Sequence, residues 1–106
     1  MKTAVITGAA QGIGKQTATL LNELGWALAL IDLQRVETEQ YKNAIALTGD
    51  ITDETFVSAA VSETMKNFNR VDALVNNAGI SNISPALNTT TEKYRQVLEV
   101  NLVAPF

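Results

Sequence analysis

Apolar residues along this chain recur at two alternating spacings, which is typical of strands that feed helices. Residues 2–7 form a short β-prone run that ends at a glycine, and residues 26–32 are nearly all apolar, as expected for a strand covered on both faces. Two shorter apolar runs, residues 44–47 and 72–76, follow later in the chain. The sequence therefore predicts four strands.

The segment after the first strand is predicted to form a helix. Its apolar positions fall at the spacing of one helix face, and we expect this face to pack on the sheet: Ile13, Leu20, Leu21 and Leu24. Gly25 then provides a C-terminal stop. The polar residues 33–43 indicate only a short helix or a loop.

Two further helices are predicted from capping residues and apolar spacing. Thr52 is expected to cap the second helix, and its inner face is marked by Val57, Val61, Met65 and Phe68. Thr89, with Glu92 three residues later, matches a capping box at the start of the third helix. One side of this last helix carries Tyr94, Val97, Leu98 and Leu102.

Strands that alternate with helices at this spacing form βαβ units, whose crossovers are right-handed in nearly all cases. The expected fold class is therefore α/β, a doubly wound parallel sheet with helices on both faces and strands in the order 3-2-1-4. No internal repeat or linker divides the chain, so residues 1–106 are expected to form one unit.

Composition and charge narrow the classes of function. The 106 residues allow one small domain, and a hydrophobic content of 46% with 18% charged residues is typical of globular proteins. The eight Lys and Arg are scattered among 11 Asp and Glu, so nucleic acid is not an expected partner. The absence of both Cys and His excludes thiolate metal sites and imidazole proton shuttles.

No apolar run approaches the roughly 20 residues that cross a bilayer. The longest uninterrupted run, residues 26–31, is far shorter, and the N-terminus lacks the apolar region of a signal peptide. We therefore expect a soluble, cytoplasmic protein with no membrane partner.

A glycine-rich turn lies between the first strand and the first helix, with the sequence GAAQGIG at residues 8–14. Glycines there permit a tight turn, close approach of the backbone to a pyrophosphate, and close packing of helix on sheet. The residues expected to line a dinucleotide are Gly8, Gln11, Gly12, Ile13 and Gly14. A flexible glycine turn without a ligand is the alternative.

Asp32 ends the second strand about 20 residues beyond the glycines, where an acid that binds ribose hydroxyls is expected. Its carboxylate would repel a 2′-phosphate by roughly 4 kcal/mol per unit charge at ~4 Å if the effective dielectric is near 20. Leu33 follows, so no cation is adjacent, although Arg35 is close. NAD is favoured over NADP, and a solvated carboxylate at the strand end is the alternative.

Two motifs together resemble the short-chain dehydrogenase/reductase family: TGxxxGIG at residues 7–14 and NNAG at residues 76–79. Other dinucleotide-binding folds use the spacing GxGxxG and lack the NNAG tetrapeptide after the fourth strand. The resemblance covers the whole chain. It implies the N-terminal half of a Rossmann-like sheet, NAD as cofactor, and an alcohol or carbonyl compound as substrate.

The resemblance also assigns roles to single residues. It implies that Asp50 and Ile51 contact the adenine, and that the cofactor cleft is lined by Asn77, Ala78 and Gly79. The alternatives are a helix-leading acid at residue 50 and an Asn turn at residues 76–77.

Asn101 matches the family's active-site Asn, whose backbone oxygen holds a water in the proton relay. Pro105 lies four residues later and has no N–H, so the helical bond to the Asn101 carbonyl cannot form. The surrounding helix is apolar and expected to be largely buried. An ordinary kinked and capped helix end is the alternative.

The family's reaction uses a Tyr whose pKa is lowered by a Lys four residues on. Tyr41 and Tyr94 have Ile45 and Leu98 at that spacing. The resemblance therefore implies an NAD-dependent oxidoreductase of which this chain holds the cofactor-binding part, truncated before the catalytic Ser and Tyr-x-x-x-Lys and inactive alone. A naturally short nucleotide-binding module, or a subunit completed by another polypeptide, are the alternatives.

The predicted fourth strand has no neighbour on its outer side. Exposed N–H and C=O groups on such an edge invite pairing with another chain. We therefore expect a homo-oligomer, and an isolated chain that self-associates or packs loosely.

Overall fold

The computed structural model describes residues 1–106 and contains four strands and three α-helices. The strands are β1 (Thr3–Thr7), β2 (Ala27–Asp32), β3 (Ala44–Thr48) and β4 (Ala73–Val75), and the helices are α1 (Gly12–Glu23), α2 (Glu54–Phe68) and α3 (Thr91–Leu98). All neighbouring strands are parallel, in the order β3-β2-β1-β4. The predicted strands and their order are confirmed.

The hydrophobic core lies where β1 and β2 meet α1. The register pairs Ala4 with Leu28 and Ile6 with Leu30, so these four side chains point to one face of the sheet. All four are fully buried, as is Ala18 of α1 above them. This packing fixes the start of α1 over the carboxyl end of β1.

Helix α2 covers the opposite face. The chain moves in one direction along the sheet from β1 to β2 and β3, and then in the reverse direction from β3 to β4. Right-handed crossovers in opposite directions place their helices on opposite faces. Ala27 and Ala29 of β2 are buried there, as are Ala60 and Thr64 of α2.

The predicted inner face of α1 is right at Leu21, which packs against the core, and wrong at its other three positions. Gly14 and Ala18 are the buried residues of α1, whereas Ile13, Leu20 and Leu24 are 78%, 57% and 66% exposed. The sheet already presents large side chains below α1, so small helix residues allow the closest packing. The other three apolar residues form one exposed flank of the helix.

The predicted inner face of α2 is wrong at three of its four positions, while the fourth, Phe68, is half-buried. Ala60 and Thr64 are buried, while Val57, Val61 and Met65 are 38%, 53% and 42% exposed. The Thr64 hydroxyl is satisfied by donating to the Ala60 carbonyl at 2.8 Å, which allows a polar side chain to be buried.

The predicted cap of α2 is off by one residue. Asp53, not Thr52, is the N-cap, and its carboxylate accepts from the N–H groups of Thr55 at 2.9 Å and Phe56 at 3.4 Å. Thr52 instead donates its N–H and its hydroxyl to Asp50, at 2.9 and 2.7 Å. Asp is as good an N-cap as Thr, and the tight turn at Asp50 decides between them.

The predicted capping box at the start of α3 is also wrong. Thr90 is the N-cap and accepts from the Lys93 N–H at 3.1 Å, while Thr89 ends a short 3₁₀ turn at Ala86–Asn88. The chain therefore enters α3 one residue later than predicted, and Glu92 takes no capping role.

The β2–β3 connection, residues 33–43, forms a loop without a helix. Val36 is buried in the core cluster, and Tyr41 packs against it. These two side chains cover the part of the sheet that a crossover helix would otherwise shield.

Helix α3 and the π-helical turn that follows it, Glu99–Val103, stand away from the sheet. The radius of gyration is 14.8 Å, against about 13 Å expected for a compact chain of this length. Leu102 and Val103 are 67% and 52% exposed, so the expectation of a largely buried helix end is wrong for this chain. None of the helices combines the length and the apolar character needed to cross a membrane.

Asp72 joins the starts of β1 and β4. Its Oδ2 accepts from the Thr3 N–H at 2.8 Å and from the Arg70 Nε–H at 2.7 Å. The Arg70 side chain, and then the Thr3 N–H, lower the pKa of the Asp72 carboxyl. The charged form is therefore the one that stabilises the fold.

We expect Asp72→Asn to lower the melting temperature at pH 7, with a smaller difference at pH 3. A carboxyl whose pKa is depressed by folding contributes stability above its unfolded value of about 3.9 and loses it as the pH falls through the folded value. Circular dichroism melts at both pH values test this, with Glu23→Gln as a control on an exposed carboxylate. An equal difference at both pH values would contradict the prediction.

Candidate cofactor site

The predicted site residues gather at the carboxyl ends of the strands. The strand order reverses between β1 and β4, and open α/β sheets bind ligands in the crevice at such a switch point. The glycine-rich turn leaves β1 there, Asp32 ends β2, Asp50 follows β3, and the NNAG segment, residues 76–79, leaves β4. Sequence motifs far apart in the chain thus share one edge.

A network of hydrogen bonds fastens the NNAG segment to the glycine-rich turn. Asn77 Nδ2 donates to the carbonyl oxygens of Thr7 and Gly8, both at 3.1 Å. The Thr7 hydroxyl accepts from the N–H groups of Asn77 at 3.1 Å and Ala78 at 3.0 Å, and it donates to the Val75 carbonyl at 3.4 Å. Its one donor and two acceptor positions are all used. We call these contacts the Thr7–Asn77 clamp.

The three glycines of the turn have different structural roles. Gly8 adopts a φ of +67°. A Cβ on Gly14 would overlap the Gly8 carbonyl and lie 2.6 Å from Asn77 Nδ2. Gly12 has a φ of +59°, and no atom lies within 4 Å of the position of its Cβ. Gly14 is thus required for packing, and Gly12 leaves open space above the start of α1.

The first turn of α1 presents unused donors to that space. The N-cap residue Gln11 makes no side-chain capping bond, and the first helical bond runs from Lys15 N–H to the Gln11 carbonyl at 3.3 Å. The N–H groups of Gly12, Ile13 and Gly14 donate to no atom of the chain. Free N–H groups, the helix dipole and a first turn without acids all suit an anion. A dinucleotide pyrophosphate therefore fits this site.

Asp32 links the end of β2 to the glycine-rich turn. Its Oδ2 accepts from the Ala10 N–H at 2.9 Å, and its Oδ1 accepts from the Gln34 N–H at 2.9 Å. The carboxylate is half-buried, which argues against the alternative of a freely solvated strand end. Each oxygen retains a further acceptor position for a ribose hydroxyl. Leu33 beside it is 66% exposed.

Asp50 and Ile51 lie after β3 at the same edge, but no hydrogen bond joins Asp50 to the glycine-rich turn. The N–H and hydroxyl of Thr52 lower the pKa of the Asp50 carboxyl, so it is an anion at neutral pH. Gly49 N–H donates to the Asp32 carbonyl at 3.0 Å, which holds the two strand ends together.

Asn101 ties the end of α3 to the segment after β4. Its Nδ2 donates to the Ile80 carbonyl and its Oδ1 accepts from the Ile80 N–H, both at 2.8 Å. Its Oδ1 also lies 3.2 Å from the position of a Cβ on Gly79. The carbonyl oxygen of Asn101 accepts no hydrogen bond from the chain, because Pro105 lacks an N–H and Ala104 N–H donates to Glu99 at 2.8 Å.

Sequence reasoning missed three contributors to this site. Thr7 was part of a recognised motif but had no assigned role, and the N–H groups of Ala10 and Ile80 carried no signal because backbone groups are common to all residues. The one sequence feature that could have predicted a role for Thr7 is its position, because its hydroxyl stands at the end of a buried strand directly before a glycine.

The chain is similar to known dehydrogenases along its whole length. A family model described as short chain dehydrogenase matches residues 2–106. The chain is 33% identical to the L-2,3-butanediol dehydrogenase of Corynebacterium glutamicum, covering 99% of this chain and 45% of that protein. It is also 33% identical to the NAD-dependent glycerol dehydrogenase of Listeria innocua, covering 99% of this chain and 43% of the relative. The chain therefore spans less than half the length of these relatives.

Two solved structures of enzymes are also similar to this chain over nearly all of its length. The 3-ketoacyl-(acyl-carrier-protein) reductase from Brucella melitensis complexed with NADH is 33% identical with a TM-score of 0.91, covering 97% of this chain and 45% of that one. A 4-hydroxyisoleucine dehydrogenase complexed with NADH is 25% identical with a TM-score of 0.86, covering 100% of this chain and 45% of that one.

Proposed function

Because this chain belongs to the short-chain dehydrogenase family, we propose that it is the cofactor-binding part of an NAD-dependent oxidoreductase that interconverts an alcohol and a carbonyl compound. The observation that carries the proposal is the half-buried Asp32 carboxylate, fastened to the glycine-rich turn at 2.9 Å. A ribose-binding acid and a pyrophosphate cradle are thus joined in one rigid unit. One relative is an NAD-dependent dehydrogenase and two similar structures are complexes with NADH, which supports NAD as the cofactor of this protein.

In this proposal the residues of the chain bind and orient NAD, which when bound supplies the group that accepts or donates a hydride. The N–H groups of Gly12, Ile13 and Gly14 would hold the pyrophosphate, and Asp32 would bind the adenosine ribose. Asp50 and Ile51 would border the adenine. The Thr7–Asn77 clamp would keep the glycine-rich turn in its binding shape.

Asn101 is proposed to take part in proton transfer through its backbone carbonyl. That oxygen is free of the helix and can hold a water, while the side-chain amide is occupied by Ile80. The Tyr and Lys that would complete the relay are proposed to lie in a further part of the protein, since Tyr41 and Tyr94 lack a Lys at the required spacing. Residues 1–106 would then be one part of a larger catalytic unit.

Asp32→Ala is expected to weaken NAD binding at least about tenfold, because loss of a hydrogen bond to a charged group costs about 1.5–3 kcal/mol. The same change should narrow the gap between NAD and NADP, since it also removes the charge that repels a 2′-phosphate. Calorimetric titration of the full-length polypeptide with both dinucleotides measures each effect.

Asp53→Ala is the matched control, since it removes a carboxylate that caps α2 and should lower stability by about 1 kcal/mol without changing NAD affinity. Equal or tighter binding of NADP by the unmutated protein would overturn the NAD assignment. Failure to bind either dinucleotide would overturn the proposed function.

A further inference from the structure

Arg35 is the first cation after Asp32, three residues further along the loop that leaves β2. An Arg near this position can accommodate the 2′-phosphate of NADP. Three residues of chain span at most about 10 Å, so the flexible Arg35 side chain could reach the ribose beside Asp32. The side chain with which Arg35 pairs therefore bears on the choice between NAD and NADP.

Arg35 is turned toward acidic side chains of its own loop. Its Nε lies 3.6 Å from Glu37 Oε1. The backbone N–H of Glu39, and after it the Glu37 side chain and the charge of Arg35, lower the pKa of the Glu39 carboxyl. Arg35 and Glu37 thus form an ion pair, and Glu39 follows two residues later in the same loop; we call these three residues the Arg35 cluster.

The electrostatic balance of this segment is negative. Residues 32–39 carry the acids Asp32, Glu37 and Glu39 against the single cation Arg35. The Gln34 N–H bond to Asp32 Oδ1, at 2.9 Å, also turns the loop directly after β2. A 2′-phosphate placed at Asp32 would meet excess negative charge, while the single cation of the segment is paired with Glu37.

We propose that Glu37 is a specificity-determining residue that holds Arg35 away from the 2′ position of the adenosine ribose, that the charge of Glu39 in the same loop adds to its effect, and that both strengthen the preference for NAD over NADP. This inference rests on the proposed function, because it concerns the same cofactor site. Asp32 repels the phosphate directly, and the Arg35 cluster withholds the cation that would compensate for it.

The effect should be modest and sensitive to salt. The Arg35 and Glu37 side chains are 80% and 60% exposed, and ion pairs in water are individually weak. At about 0.1 M salt the screening length is roughly 10 Å, which still spans the cluster, whereas at about 1 M salt it is roughly 3 Å. A specificity shift caused by these charges must shrink between the two conditions.

The test is calorimetric titration of the full-length polypeptide with ADP-ribose and with 2′-phospho-ADP-ribose at low salt. The double variant Glu37→Gln/Glu39→Gln should bind the 2′-phosphorylated ligand about fivefold better relative to ADP-ribose, the upper range for exposed charge pairs. Adding Arg35→Gln to this variant should remove the gain. Glu23→Gln/Glu92→Gln alters net charge equally at exposed sites on α1 and α3 and should leave the ratio unchanged.

The outcomes separate the two claims. If the unmutated protein binds ADP-ribose but the double variant keeps its ratio, the Arg35 cluster has no role and the proposed function stands. If the gain persists after Arg35→Gln, lost negative charge alone explains it and the role of Arg35 is overturned. If the unmutated protein binds neither ligand, the proposed function fails and the inference with it.

Discussion

Replacing Gly14 with Ala is expected to disrupt the glycine-rich turn and abolish NAD binding. The new Cβ would overlap the Gly8 carbonyl and press on Asn77 Nδ2 at 2.6 Å, so the backbone at Gly8 and the Thr7–Asn77 clamp must both shift. Overpacking of this kind typically costs 1–3 kcal/mol and can cost more where backbone must move. Thermal unfolding and NAD titration of the full-length polypeptide should both show a large loss.

Gly12→Ala is expected to weaken NAD binding strongly while lowering the stability of the fold only slightly. No atom of the chain lies within 4 Å of the added Cβ, so the fold loses only about 1–2 kcal/mol for an L-residue at positive φ. The methyl group would nevertheless occupy the space in which a pyrophosphate approaches the backbone. NAD affinity should therefore fall far more than the melting temperature.

Gly25→Ala is the matched control for Gly12→Ala. Gly25 also has a positive φ, +84°, with no atom near its Cβ position, but it lies at the opposite end of α1. It should show the same conformational cost and unchanged NAD affinity. If Gly12→Ala binds NAD as well as Gly25→Ala does, the pyrophosphate does not sit above Gly12.

The sheet could be predicted from sequence because its strands are defined by short-range properties. The internal strand β2, Ala27–Asp32, is buried along nearly all its length, and a continuous apolar run is the direct consequence. The handedness of crossovers then left few possible strand orders. Strand ends agreed to within one residue for the same reason.

The helix faces could not be predicted because amphipathic spacing does not identify the partner of the apolar face. The stripe containing Leu20 and Leu24 is real, yet α1 packs on the sheet through Gly14 and Ala18. Close packing on large sheet side chains selects small residues, and that choice depends on the sheet surface. A one-dimensional pattern records apolar character but not complementarity of volume.

The candidate site was predictable in its residues but not in its bonds. The family motifs point to Asn77 and the spacing after the glycines points to Asp32, but the clamp joins Thr7 to Asn77 across about 70 positions of sequence. The Asn101 amide likewise bonds Ile80 after a separation of 21 residues. Such contacts form only when the sheet is assembled, so composition and residue spacing do not predict them.

The 106-residue chain on its own is expected to associate in solution and to catalyse no alcohol oxidation. Strand β4 is an edge strand with unpaired backbone groups, and Leu74 on it is 56% exposed. Leu102 and Phe106 beyond α3 are exposed as well. Exposed apolar side chains of this kind favour association with another molecule.

The exposed flank of α1 adds further apolar area. Asn22 exchanges hydrogen bonds with the backbone of Lys42, at 2.6 and 3.1 Å, so its side of the helix faces β3. Leu20 and Leu24 lie on the opposite side of the helix, given 3.6 residues per turn, and are 57% and 66% exposed. The isolated chain thus exposes apolar side chains on α1 as well as on β4.

Leu74→Lys should shift the isolated chain toward the monomer in light scattering, because a charged side chain on an edge strand opposes pairing with another edge. Val61→Lys is the matched control, since Val61 is 53% exposed and belongs to helix α2 and not to a strand. Association that both variants reduce equally would indicate nonspecific aggregation and not pairing through β4. An isolated chain that remains monomeric and reduces NAD with an alcohol would show that this chain already carries a complete catalytic site, and it would contradict the proposal that the reacting groups lie elsewhere.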